Sequence, residues 1–219
     1  MGSLFLVRHA TTDASAAGRN LGQAEDPGLA AEGEWLAART GAAIRLELAA
    51  LAPPPEAIRI MSSPALRCLR TAEAIVGALA GIGPDARPPI EEEPALRELD
   101  YGAWEGLTPE ECRARNPVER AAWEADPYLT HAPGGESGRD VARRAFPVLE
   151  ALEAWLEEAP SRTAVAVSHN HVLRLRLVAL LGLPLRDYRR RVVTDPGGYS
   201  LITFGGRQPA IRRLNAVPR

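Results

Sequence analysis

Short apolar runs recur in this chain between longer stretches of helical periodicity, and that alternation leaves few ways to bury both kinds of surface. Ser3 to Val7 and Thr163 to Val167 are nearly unbroken apolar runs, the pattern of strands covered on both faces, and Ala57 to Met61 is a further strand candidate. Between the first two strands, Leu29, Leu36, Ala37, Ile44 and Leu48 recur at roughly helical spacing over Pro27 to Leu51, and Pro53-Pro54-Pro55 end that segment. Ser63 and Pro64 read as an N-cap followed by proline at the first helical position, with Leu66, Leu69, Ile75, Val76 and Leu79 forming one stripe of a helix that reaches about Ala80. A longer helix is marked by Val141, Val148, Leu149, Leu152, Trp155 and Leu156, and Pro147 within it predicts a kink or a split. Val172 to Leu181 is another apolar helix, and Ser200 to Phe204 and Ala210 to Leu214 are late strands. Strands alternating with helices predict a three-layer α/β/α sandwich with a mostly parallel central sheet. The charged, proline-broken stretch of about 107–133 predicts a small helical cap inserted into a single domain spanning 1–219.

In sheets of this kind, ligands sit at the carboxyl ends of the strands. Here the first strand delivers Arg8-His9, the second delivers Ser62-Ser63 with Arg67 about one turn into the next helix, and the strand over 163–167 delivers Ser168-His169. A lone histidine at a strand end is most often a hydrogen-bonded structural residue. Two histidines and two arginines converging on one edge make an electropositive pocket instead, to which helix N-termini add peptide N–H donors. A phosphoryl group is the natural occupant.

Composition narrows the chemistry. All 26 basic residues are arginine, so a P-loop lysine, a Schiff base and a cofactor-bearing lysine are excluded. Cys68 and Cys112 form no CxxC pair and no His/Cys cluster at zinc spacing, so neither a disulfide framework nor a metal site is expected, and two free thiols suit a reducing cytoplasm. A net charge of −2 gives no global attraction to nucleic acid or to an anionic membrane. The opening MGSLFLVRHA lacks a basic leader, and its apolar part stops at Arg8, too short for a signal peptide or a membrane span. The expectation is a cytoplasmic protein without a cofactor, acting on a small molecule. The sequence fixes no oligomeric state and leaves room for a homodimer.

The blocks that carry this chemistry resemble those of the histidine phosphatase (phosphoglycerate mutase-like) superfamily. Leu6-Val7-Arg8-His9-Ala10 looks like the L-x-R-H-[GA] signature, and Gly18-Arg19 with Leu29-Ala30-Ala31-Glu32-Gly33 is similar to the G-R…L-T-x-x-G segment. Ser62 to Ala72 resembles S-x-x-x-x-R-A-x-x-T-A, Leu96 to Gly106 resembles L-x-E-x-x-[FY]-G-x-W-E-G, Pro133 to Ser137 resembles P-G-G-E-S, and Val167-Ser168-His169 resembles V-[ST]-H. The resemblance implies that His9 is a nucleophile that becomes phosphorylated, that Arg8, Arg67 and His169 hold the phosphoryl oxygens, and that Glu98 protonates the leaving group. The physics agrees, because attack needs a neutral imidazole and neighbouring cations disfavour its protonated form. Those arginines are expected to lower the pKa of Glu98, and an incoming phosphoryl dianion to raise it again.

Departures from the family pattern are Thr11 and Ser15, where an acidic residue or Gln and an asparagine are usual, and Asn170-His171, where glycine is usual after the second histidine. Ser15 and Asn170 are expected to contact the phosphate, with altered specificity as the consequence. His131 and His171 are read as exposed or core-satisfied, and the Arg186 to Arg191 cluster as solvated surface. Arg70, Glu105 and Glu136 are read as ion-pairing residues that position loops, and Trp35, Trp104, Trp123 and Trp155 as packing residues. The short stretch from Thr108 to Ala132 resembles the caps of short-cap phosphatases. The alternatives are a cofactor-dependent phosphoglycerate mutase and a scaffold that binds a phosphorylated ligand without turnover.

Overall fold

A computed structural model describes residues 1–80 and 87–218. Its strands are β1 (Gly2–Arg8), β2 (Ile58–Ser62), β3 (Ile90–Glu92), β4 (Thr163–Ser168), β5 (Tyr199–Phe204) and β6 (Ala210–Ala216). They form one sheet in the order β3-β2-β4-β1-β5-β6. The first four in that order run parallel, and β5 and β6 turn back antiparallel at one edge. The helices are α1 (Asp13–Ala16), α2 (Ala31–Leu51), α3 (Leu66–Leu79), α4 (Pro109–Arg115), α5 (Pro117–Ala125), α6 (Gly138–Glu157), α7 (Asn170–Leu180) and α8 (Tyr188–Arg191).

The alternation of side chains along β1 divides the core into two layers. Phe5 and Val7 point one way and pack with Ile44 and Leu48 of α2 and Ile75 and Leu79 of α3. Leu4 and Leu6 point the other way and pack with Leu149 and Leu152 of α6 and Val172 and Leu175 of α7. A strand with helices on both faces must be apolar at every position, which is why β1 and β4 are buried almost throughout. The three-layer sandwich with a mostly parallel sheet is therefore the observed fold.

Several local expectations change. Pro147 neither splits nor ends α6, which runs unbroken from Gly138 to Glu157. Both Pro147 and Arg143, whose carbonyl would take the missing bond, are exposed, so water can replace it. Ser63 does not cap α3: its N–H donates to Val167 O and its hydroxyl lies 2.8 Å from His169 Nε2, so it extends the strand edge. The helix starts at Leu66, and its first N–H donates to Asp26 Oδ1 at 2.7 Å across the loop. α2 begins at Ala31, four residues later than expected, because Ala30 N–H is taken by Thr11 O. Gly33 permits that approach, since a Cβ there would lie 2.0 Å from Thr11 O. Trp35 is 58% exposed and stacks under Arg39, whereas Trp104 and Trp123 are buried.

Candidate active site

Three neighbouring strands end side by side at one rim. His9 N–H donates to Ser168 O and Ser63 N–H donates to Val167 O, so the residues that follow β1, β2 and β4 share one edge of the sheet. His9 and His169 thereby stand edge to face, with ring centroids 5.2 Å apart.

His9 is 4% exposed, and its Nδ1 lies 2.8 Å from Ala10 O. A carbonyl oxygen only accepts, so Nδ1 carries the proton and Nε2 keeps its lone pair. Burial, reinforced by Arg8 and Arg67, holds the imidazole well below the usual histidine pKa of 6.5, so it is uncharged near neutral pH. A cavity of about 200 Å³ opens in front of it, lined by Arg8, His9, Ser15, Glu98, Tyr101 and Asn170 among others.

Arg8 donates from Nη1 to Thr194 O at 2.7 Å, and Arg67, 1% exposed, donates from Nη2 to Gly22 O at 2.8 Å. Each keeps a buried Nε–H with no partner among the described residues. Two buried, charged donors left unpaired cost free energy unless an anion completes them. Arg67 also reaches Asp26 at 3.6 Å, and it lines an adjoining cavity with Gly22, Asp26, Arg97 and Glu98. Gly22 is held there by Glu105, which accepts from the N–H groups of Gly22 and Gln23, and a Cβ on Gly22 would strike that carboxylate at 2.1 Å.

Glu98 is 5% exposed and accepts from Leu99 N–H at 2.8 Å, with His171 N–H at 3.3 Å. The expected lowering of its pKa is not what the structure gives. Burial raises it above the usual 4.5, against Leu99 N–H, Arg67 and Arg8, so desolvation wins before any phosphate arrives. Arg144 fixes the Glu98 segment by donating to the carbonyls of Ala95, Arg97 and Glu98 while pairing with Glu136.

Not every expected residue faces the cavity. His169 is fully buried, its Nε2 contacts Ser63 Oγ, and it lines neither cavity. Ser15 lines the cavity, but its hydroxyl accepts from Thr12 N–H and donates to Thr12 O in a capping box at the start of α1. Its proton is therefore committed locally. Asn170 lines the cavity with its Oδ1 accepting from Thr194 Oγ1 at 2.8 Å, which leaves the amide N–H groups for a ligand. Glu136 is ion-paired as expected and Glu105 works through backbone N–H groups, but among the described residues Arg70 pairs only with exposed Glu73. His131 is exposed.

Sequence reading missed the wall behind the cavity. His171 is 1% exposed and bridges Tyr101 Oη and Tyr188 Oη, each at 2.7 Å. Its bridging partners lie 70 and 17 residues away in the chain, so only the Tyr101 position inside the L-x-E-x-x-[FY]-G block offered a signal. The Arg186 to Arg191 cluster is not all solvated surface, because Tyr188 is buried and Arg189 stacks 4.1 Å over the Trp123 ring.

Residues 4–217 match the family model of the histidine phosphatase superfamily, branch 1. The chain is 33% identical over 208 residues to glucosyl-3-phosphoglycerate phosphatase of Mycolicibacterium vanbaalenii, covering 93% of this chain and 84% of that one. It is 30% identical over 219 residues to phosphoserine phosphatase 1 of Hydrogenobacter thermophilus, covering 98% and 92%. The solved structure of a mycobacterial glucosyl-3-phosphoglycerate phosphatase with VO3 superposes with a TM-score of 0.77 at 27% identity, covering 99% of this chain and 100% of that one. A family match over nearly the whole chain and the arginine-flanked, uncharged His9 at the sheet rim agree, and the protein belongs to the histidine phosphatase superfamily as a phosphatase.

Proposed function

We propose that the protein hydrolyses a small phosphorylated metabolite in two steps through a phosphohistidine on His9. The observation that carries this reading is the His9 imidazole, fixed through Nδ1 with Nε2 unbonded, between two arginines whose Nε–H groups are buried and unpaired among the described residues. In the first step the Nε2 lone pair attacks phosphorus and the P–O bond to the alcohol breaks. Glu98, whose carboxyl burial shifts towards its protonated form, gives its proton to the departing oxygen. In the second step water attacks phosphorus, Glu98 takes its proton, the P–N bond breaks, and phosphate leaves. Arg8 and Arg67 hold their charge throughout and stabilise the equatorial oxygens of each in-line transfer. The Asn170 amide adds a neutral donor at the cavity, and His169, edge-on to His9, stands outside the cavity lining. The whole chain acts as one domain, with 107–133 as a cap beside the cavity. The two buried free thiols suit a cytoplasmic setting.

The named substrates of the relatives, glucosyl-3-phosphoglycerate and phosphoserine, are phosphomonoesters of small alcohols, and that class is the one assigned here. The test is rapid-quench turnover of a labelled aryl phosphate in EDTA. The expected result is an alkali-stable, acid-labile label on the protein, absent from His9→Ala. Turnover without such a label removes the two-step reading, and binding without turnover favours the scaffold.

A further inference from the structure

His9 attacks only while its ring stays aimed at the phosphorus that Arg67 holds, yet the two side chains come from different elements. His9 follows β1 and is steered by its own chain, since its Nδ1–H donates to Ala10 O. Arg67 belongs to the first turn of α3. Their alignment therefore depends on how the backbone at Ala10 meets that helix. Thr71 makes the junction. Its Oγ1 accepts from Ala10 N–H at 3.1 Å and donates to Arg67 O at 2.8 Å. A backbone carbonyl only accepts, so the hydroxyl proton goes to Arg67 O and a lone pair is left for Ala10 N–H.

A threonine inside a helix commonly bonds back to the carbonyl four residues before it, so the bond to Arg67 O is ordinary by itself. The bond to Ala10 N–H spans 61 residues of chain and is not supplied by helix geometry. Ala10 and Thr71 are both fully buried, so bulk water does not replace either partner. Thr71 and Arg67 stand one turn apart on the same face of α3. Cys68, next to Arg67, brings its Sγ to 3.7 Å from Ser168 O and 3.4 Å from His169 Nε2, so the start of α3 touches the ends of both β1 and β4. The neighbours of Ala10 are tied elsewhere: Gly197 N–H donates to Arg8 O and His9 O, and Ala30 N–H to Thr11 O. Those bonds fix the turn against the loop before β5 and the entry to α2, not against the helix that carries Arg67.

We infer that Thr71 is a positioning residue: its hydroxyl locks Ala10, and through the Ala10 carbonyl the His9 imidazole, in register with Arg67. Thr71 lines neither cavity, so it acts on the reaction only through the groups it holds. This rests on the two-step reading with His9 as nucleophile and adds to it the side chain that aligns the attack. Without the hydroxyl, a buried Ala10 N–H is stranded, and the turn shifts to relieve it and carries the His9 ring with it. In-line transfer is sensitive to such a shift, since a misplacement of about 1 Å costs about 100-fold in rate.

The test compares Thr71→Val, which keeps the branched shape and removes both bonds, with Thr71→Ser, which keeps the hydroxyl. The first readout is the single-turnover rate constant for labelling His9 from an aryl phosphate, per folded molecule. In Thr71→Val it is expected to fall by about 10–100-fold, while the Kd for inorganic phosphate changes by less than about threefold because both arginines remain. Thr71→Ser recovers most of the rate. The second readout is the His9 Nδ1–H signal in protein labelled with 15N-histidine, identified by its loss in His9→Ala. Its exchange with water is expected to quicken about tenfold or more in Thr71→Val and to stay slow in Thr71→Ser. A threonine that only packs the core would lower the melting temperature and leave both readouts unchanged. A labelling rate within about twofold of wild type in Thr71→Val, or Thr71→Ser as slow as Thr71→Val, overturns the assignment. Should Thr71→Val not fold, the Ala10 amide decides: protection from exchange in both wild type and Thr71→Ser supports the bond, and exchange as fast as in an unstructured chain overturns it. Labelling of the wild type is the separate control, since its failure strikes the phosphohistidine reading itself.

Discussion

His9 at the end of β1 and His171 in the first turn of α7 are both buried, uncharged imidazoles close to the same cavity, and they are bonded in opposite ways. His9 has one nitrogen tied to its own chain at Ala10 and the other, at the cavity, without a partner among the described residues. His171 has both nitrogens used, by Tyr101 and by Tyr188. A neutral imidazole is a nucleophile only through a free lone pair, so the difference in partners, not in burial or charge, separates reactive histidine from structural histidine.

Substitution should break that likeness most visibly. His9→Ala is expected to lower kcat by a factor on the order of 10⁴ or more while costing less stability than the loss of two partners, because it removes the nucleophile and leaves one buried acceptor, Ala10 O, without its donor. His171→Phe keeps the volume but strands two buried tyrosine hydroxyls, at a cost of about 2–3 kcal/mol in stability, with kcat per folded molecule within about tenfold of wild type. Thermal melts and steady-state rates on both variants check this. Equal kinetic losses would make His171 a participant in the chemistry and erase the contrast.

Glu98 stands between the two histidines, facing the cavity with His9 and accepting from the His171 N–H. His9 must be neutral, which holds at every pH above its lowered pKa, and Glu98 must be protonated, which holds at every pH below its raised one. Activity should therefore rise as pH climbs through the lowered His9 pKa and fall as pH climbs through the raised Glu98 pKa. In Glu98→Gln the alkaline fall should vanish, and kcat for a poor leaving group should drop by about 10²–10⁴. A good leaving group should lose much less. A pH–rate profile with the alkaline limb intact in Glu98→Gln would assign that limb to another group.

The strand ends were legible because apolar runs break sharply at Arg8-His9, Ser62-Ser63 and Ser168-His169, and burial on both faces demands such runs. β3 was not, since Ile90–Glu92 is a short edge segment whose strand state comes from pairing with β2 and from the Arg59–Glu91 ion pair. Ser63 misled for a related reason: serine before proline reads as a cap, but a histidine 106 residues away takes its hydroxyl. The pKa of Glu98 was misjudged in sign because charge neighbours can be inferred from motif residues, whereas desolvation depends on how loop and helix close over the carboxyl.

Protonation joins what chemistry separates. His9, His169 and His171 all have folded-state pKa values pushed well below 6.5 by burial, so below about pH 6.5 the unfolded chain binds protons that the folded chain refuses. Glu98 and Glu153 work the other way, since burial raises both above 4.5 and lets the folded chain keep protons that the unfolded chain releases. Three histidines outnumber the two carboxyls, so the unfolded chain binds more protons and unfolding free energy should fall as pH drops from roughly 6 to 5. The lowered carboxylates, such as Glu91 and Asp140, add their loss only at lower pH. Denaturant titrations across that window measure the slope. His9→Ala and His171→Phe should flatten it equally, by one proton each, although only the first abolishes turnover. If either variant leaves the slope unchanged, that histidine is charged in the folded protein, and its half of the comparison fails.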